Sequence, residues 1–391
     1  MIRMLKLKMA LAAVCFAAVA PGLAQAKELK IGLVVPLSGP FATTGQQMMN
    51  GVKLYVQQHG DTVAGRKVVL IVKDDTGVNP TITKREAQGL LINDKVDVLA
   101  GFGLTPGAFA TAPLAQETHT PMVVMNAATS AITTKSDYIT RTSTTLPQVA
   151  APMATWAKEN GVKKVYVIVA DYGPGHDAAK QFKKTFTEAG GEIVGELHTP
   201  LTSPDFAPFL QKIKDAKPDA LFLFIPNGDQ GISFAKGYKE RGLDKTGIKL
   251  LATGDITTED MIDAIGDSAL GIITSYYYAQ SHDSPENKAY VAAYTKAYPG
   301  VRPNMISVAG YDGMNLIYEA LKKTNGDAGG DAFMSAVKGM KWMSPRGPIL
   351  IDPKTRDIVQ NVYIRRVERV NGVLQNVEFH TYEAVKDPEK G

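Results

Sequence analysis

Cysteine is almost missing from this chain. Its one thiol, Cys15, sits near the start, so a disulfide framework and a cysteine metal site are both excluded from the body of the protein. Charge of one sign is missing too. A net charge of +4 over 391 residues, with basic and acidic side chains interspersed, gives no basic stripe for nucleic acid. Beyond the first residues no apolar run approaches the ~20 residues that a membrane-spanning helix needs. The six histidines, His59, His119, His176, His198, His282 and His380, are scattered without metal-ligand spacing. No Gly-x-Ser-x-Gly elbow and no Gly-Lys-Ser/Thr phosphate loop occurs. "GFGLTPG" has its glycines at the wrong spacing for a dinucleotide fingerprint and follows the third strand unit, where that fingerprint follows the first. These absences argue against an enzyme, a metalloprotein and a cofactor carrier.

What is present is a 45% hydrophobic, 21% charged composition, suited to a folded chain of two or three domains. Residues 1–26 read as a secretory signal peptide. Arg3, Lys6 and Lys8 precede a short apolar stretch, and Ala24, Gln25 and Ala26 make a small-x-small cleavage site. Cys15, preceded by Ala12, Ala13 and Val14, is a poor lipoprotein site. The mature chain is expected to start at Lys27, with no cysteine, and to be exported as a soluble protein, into the periplasm if the cell has two membranes.

The remainder alternates strand and helix patterns twice over. "LKIGLVV", "KVVLIV", "VDVLA" and "MVVM" give one half; "KVYVIVA", "GEIVGEL", "DALFLFI" and "IKLLAT" give the other. Between them, from Tyr138 to Gln148, the pattern weakens into Thr, Ser and Pro. Continuous β-branched runs are the signature of parallel strands covered on both faces, so the expected fold class is α/β with two doubly wound lobes. The tail alternates apolar and polar residues around Asn371-Gly372, as a terminal antiparallel hairpin would. Several strands end in small polar or glycine-rich loops: "PLSGPFATTG", "GFGLTPG", "NAATS", "DYGPG", "IPNGDQ" and "TGDITTED". Ligands of open α/β sheets collect at such strand ends, so two lobes facing each other could hold a solute from both sides.

"KIGLVVPLSGPFATTGQQMMNGVKLYVQQHG", "VLAGFGLTPGAFATAPLAQETHTPMVVMNAATSAIT", "YITRTS", "DYGPG" and "VAGYDGMNLIYEAL", in this order, resemble the periplasmic solute-binding proteins of the leucine/isoleucine/valine class that serve ABC importers. The resemblance spans essentially the whole mature chain. It implies two lobes joined by three hinge crossovers and closing on a ligand, with residues 27–146 plus 277–345 as the N-terminal lobe and 147–276 plus 346–391 as the C-terminal lobe. It further implies a monomer without cofactor, whose partners are two permease subunits and two ATPases.

Carried over residue by residue, the resemblance places a ligand carboxylate on Thr105, beside Leu104, and on Ala128 and Thr129 of "NAATS". Tyr172 would close over the ligand, and Asp255 would meet an ammonium. Phe41, Asn227 and Tyr276 to Tyr278 would line the rest. Each position also has an ordinary reading. Thr129 and Asp255 could cap helices, Asn126 could serve an Asx-turn, and Tyr172 could be a half-buried surface aromatic. "FLFIPNGDQ" departs from the leucine-binding pattern, offering Pro226, Asn227 and Gly228 where the family often carries an aromatic pair. The expected solute is therefore a small carboxylate, either a branched-chain or other amino acid, or an aromatic carboxylate or amide. A receptor's ligand-sensing domain shares this fold, but the sequence up to Gly391 shows no signalling module, and transport is the expectation kept.

Overall fold

A computed structural model describes residues 27–202 and 204–390; the leader expected over residues 1–26, with Cys15, lies outside the described residues. Two sheets organise the chain. The first is built from Glu28–Val35 (β1), Thr62–Val63 (β2), Arg66–Asp74 (β3), Val98–Gly101 (β4), Met122–Val124 (β5) and Ile139–Arg141 (β6), in the order β2-β3-β1-β4-β5-β6. The second contains Lys164–Ala170 (β7), Glu192–Thr199 (β8), Ala220–Phe224 (β9), Lys249–Thr253 (β10), Ile273–Tyr276 (β11), Lys341–Ser344 (β12), Gly347–Ile351 (β13), Ile358–Val370 (β14) and Val373–Val385 (β15). Its order is β12-β13-β14-β11-β10-β9-β7-β8, with β15 on β14.

All pairings from β3 to β6 and from β11 to β8 are parallel. In each sheet the first strand lies between two later parallel strands, β1 between β3 and β4 and β7 between β8 and β9, which leaves a topological switch point, β1/β4 in one and β7/β9 in the other. The strands lie where the apolar runs predict, because they are buried on both faces. In β9, Ala220, Phe222 and Phe224 face one core while Leu221 and Leu223 face another. The expected terminal hairpin is β14–β15. Its two-residue turn puts Asn371 at φ +51° and Gly372 at φ +83°, the conformation that Asn-Gly favours and that matches strand twist.

Two differences from the sequence reading have physical causes. Within the weak Thr/Ser stretch, β6 is a true strand whose Arg141 is fully buried, its charge met by Asp357 at 2.9 Å. Strand β12, which the expected boundary at residue 345 assigns to the N-terminal lobe, pairs with β13 and so joins the second sheet.

The chain passes between sheets three times: after β6, after β11, and before β12. One side chain, in the turn just after β12, ties the first two passages together. The buried Arg346 guanidinium pairs with Asp312 at 2.8 Å, donates to the Thr142 carbonyl and lies 4.6 Å from the Tyr277 ring centroid. Asp312 also accepts from Trp342 Nε1 at 2.9 Å and Ser344 Oγ at 2.8 Å. Losing one member of a buried pair strands the other charge, so Arg346→Met should lower unfolding stability by about 3–5 kcal/mol. The double change with Asp312→Leu should recover most of that in denaturant titration. A single variant within ~1 kcal/mol of the parent would show that this pair does not hold the crossings.

Candidate functional site

Loops from both switch points converge. The interlobe cavity is lined from the first lobe by Gly103, Leu104, Thr105, Asn126, Ala127 and Ala128, and from the second by Tyr172, Pro174, Phe224, Pro226, Asn227, Asp255 and Tyr276; Leu146, just after the first crossing, completes it. The lobes touch across it. Thr44 Oγ1 donates to Asn227 Oδ1 at 3.1 Å, and the Ser130 amide donates to Asp177 Oδ2 at 2.8 Å.

The first-lobe wall is a donor array. Arg141 takes up the Ala127 carbonyl at 3.0 Å and the Thr129 carbonyl at 2.9 Å, while the Leu146 amide takes the Ala128 carbonyl at 3.0 Å. With its carbonyls bound inside the lobe, the loop keeps the amides of Ala128 and Thr129 free of protein acceptors among the described residues. Thr105 and Thr129 join through their hydroxyls at 2.9 Å. The helices Thr105–Thr118 and Gly173–Glu188 begin beside these groups, and neither Leu104 nor Tyr172 supplies a side-chain cap. By contrast Asn79, Thr145, Ser284 and Asn304 cap the helices they precede. Uncapped helix starts, free amides and hydroxyls together stabilise an anion without a buried cation.

The opposite wall is aromatic, with one acid. Tyr172 stacks on Phe224, centroids 6.0 Å apart and planes 19° from parallel. Asp255 accepts from Thr253 Oγ1 at 2.7 Å and Tyr276 OH at 3.2 Å. Burial pushes its carboxyl up to about 6, against the pull of those hydrogen bonds and of the Arg365 guanidinium. Arg365 is itself held by Thr274 Oγ1 at 3.0 Å and lies 5.7 Å from the Tyr276 ring centroid. Burial first, then the Asp255 charge, keeps the Tyr172 and Tyr276 phenols neutral.

Of the positions singled out in the sequence, Leu104, Thr105, Ala128, Tyr172, Asn227, Asp255 and Tyr276 line the cavity. Thr129 borders it through its bond to Thr105. Phe41 does not line it; it lies in a neighbouring groove with Pro40, Gly228 and Gln230. Tyr277 and Tyr278 are turned away, onto Arg346 and Asn287. Neither capping alternative describes the side chains. Thr129 precedes a short 3-10 helix that its side chain does not cap, and the helix Glu259–Ile265 starts after Thr258, not Asp255. Asn126 donates to the Gly103 carbonyl at 2.8 Å, bridging the two first-lobe loops. Leu146 was not legible as a lining residue, since it follows a crossing whose path the sequence does not show. The reading of the histidines as dispersed also fails in space: His176 and His198 converge on Asp171.

A family model described as periplasmic binding protein matches residues 28–372. The chain belongs to the periplasmic binding protein family. Across 97% of its length this periplasmic binding protein is 43% identical to Leu/Ile/Val-binding protein homolog 6 of Brucella melitensis, covering 98% of that protein. Among solved structures it is similar to an ABC-transporter solute-binding protein of Rhodopseudomonas palustris BisB5 in complex with 3,4-dihydroxybenzoic acid: 55% identity, TM-score 0.90, with 93% of this chain and 99% of that one covered. A counterpart from R. palustris HaA2 in complex with p-hydroxybenzoic acid is 47% identical, with TM-score 0.90 and the same coverage. The chain is thus the binding component of an ABC transporter, with the type I periplasmic binding fold. Among the described residues no helix is long and apolar enough to cross a membrane.

Asp255 yields a stability prediction. Its native carboxyl binds a proton more tightly than the unfolded one, so its cost is absent below pH ~4 and grows as pH rises through about 6. Asp255→Asn removes that cost. The ligand-free variant should match the parent near pH 4 and exceed it by up to about 3 kcal/mol above pH 7, because each tenfold gain in proton affinity on folding corresponds to about 1.36 kcal/mol. A constant difference across pH, measured by thermal melts, would remove Asp255 as the source.

Proposed function

We propose that this periplasmic binding protein captures a hydroxylated aromatic carboxylate, of the hydroxybenzoate class, and delivers it to its permease. The observation that carries the reading is the polarity of the cavity: carboxylate donors at Thr105, Ala128 and Thr129 on one wall, flat rings at Tyr172 and Phe224, and a hydrogen-bond acceptor at Asp255 on the other. A ring carrying a carboxylate at one end and a phenolic hydroxyl at the other spans such a site. The carboxylate meets neutral donors, and the phenol donates to Asp255. The aromatic acids bound by the two R. palustris proteins support this choice. Closure follows from differential contact: first-lobe donors hold the anion, and the second-lobe rings and Asp255 reward the closed form. Transport needs no bond-making step, and none of these residues is assigned a catalytic role.

The second reading is an amino acid, favoured by Asp255 as an ammonium partner and by the name of the Brucella relative. The two separate in one screen. With 4-hydroxybenzoate or 3,4-dihydroxybenzoate at about 100 times its dissociation constant, unfolding stability should rise by about 2.7 kcal/mol, while leucine, isoleucine and valine should leave the melting point unchanged. Asp255→Asn should retain most hydroxybenzoate affinity, because an amide oxygen still accepts from a phenol, whereas it would strand an ammonium. A shift with leucine alone, abolished in Asp255→Asn, would replace the aromatic reading.

Closure can be tested separately. A Cβ at Gly173 would lie 2.6 Å from Thr129 Oγ1, across the interface of the lobes. Gly173→Ala should weaken ligand binding at least ~10-fold by calorimetry while leaving the melting point equal or higher, since alanine favours the helix that Gly173 begins. Unchanged affinity would mean that the lobes need not approach this closely to hold the ligand.

A further inference from the structure

Outside the cleft, at the rim of the second lobe, three ligand-type side chains meet. Asp171 follows β7, His198 lies near the end of β8, and His176 stands in the first turn of the helix Gly173–Glu188. The parallel β7–β8 register brings these positions together although 22 residues separate the two histidines. Asp171 Oδ1 lies 2.8 Å from His176 Nε2 and 3.5 Å from His198 Nδ1, and all three ligand atoms fall within 4.8 Å of one another.

We propose that Asp171, His176 and His198 form a binding site for a zinc-class divalent cation beside the loop that carries Tyr172. Three observations support it. Nitrogen and oxygen ligands on tetrahedral zinc, each bonded at 2.0–2.2 Å, stand about 3.3 Å apart, close to the separations here. The donor set of two imidazoles and a carboxylate suits zinc and its neighbours. Glu196 accepts from His198 Nε2 at 2.8 Å and is itself anchored by Lys183. The other ring nitrogen, Nδ1, lies 3.5 Å from the Asp171 carboxylate. A carboxylate behind the imidazole is the usual outer support of a metal-bound histidine. The side chains are exposed, 60% for Asp171 and 54% for His176, so they can adjust by the few tenths of an ångström required, and solvent completes the coordination.

The test is a zinc titration of tag-free protein against a chromophoric competing chelator. One zinc ion per chain should bind, and His176→Ala and His198→Ala should each weaken it at least ~10-fold, no less than an outer-shell change does. His380→Ala, on β15, should not. Circular dichroism should show all variants folded, as the altered groups are on the surface. Absence of saturable binding would overturn the site. Zinc binding that survives both histidine changes would place the metal elsewhere and overturn it equally.

Discussion

The buried Arg141 guanidinium is the constraint on which the anion wall depends. It lies at the end of β6, inside the first lobe, and turns two carbonyls of the Ala127–Thr129 loop inward while Asp357 neutralises it. Asp357 is further tied to Thr133 at 3.1 Å and to Lys390. If the loop's carbonyls faced the cleft, they would repel a carboxylate; with them bound inside, its amides are the groups left over. The desolvation of such a pair is costly, and replacing both partners by apolar residues of similar size would be close to neutral for folding. It would also leave the loop without a reason to hold its peptide orientation. The arginine thus acts on the ligand without approaching it.

The same logic separates what could be read in the sequence from what could not. Strands such as β7 and β9 are legible because burial on both faces forces an unbroken apolar run. The β14–β15 turn is legible because Asn371-Gly372 suits only a few backbone conformations. Strand β6 was not, since Ile139-Thr140-Arg141 contains a polar and a charged residue whose burial makes sense only once Asp357, 216 positions away, is in place. Strand β12 was missed as a member of the second sheet because its partner is a neighbour in sequence, while its lobe is decided by the third crossing.

The cleft shows the same division. Residues that sit directly after a strand, such as Thr105, Ala128, Tyr172 and Asp255, can be placed on the ligand side because the fold class says which end of a strand faces the cleft. Chain direction carries that information. Leu146 and Phe224 line the cavity through packing that no local pattern reports, and Phe41 lies one groove away although it belongs to a strand-end loop. Asp171, His176 and His198 are the extreme case. Their proximity is a product of strand register, a property of the pair β7–β8 and of neither strand alone.

One further feature bears on how the chain avoids pairing with copies of itself. Strand β15 forms the open border of the second sheet, with only β14 beside it, and an unpaired border of thirteen residues is a template on which another chain could polymerise. Its ladder is interrupted between Gln360 and Val362 and between Ile364 and Arg365 of β14, and Ala384 adds a left-handed kink at φ +47°. Exposed His380 and Glu383 follow on the same strand. A border broken in register and kinked is a poor template for a second molecule, so the longest hairpin of the fold carries its own obstacle to becoming the seed of a fibril.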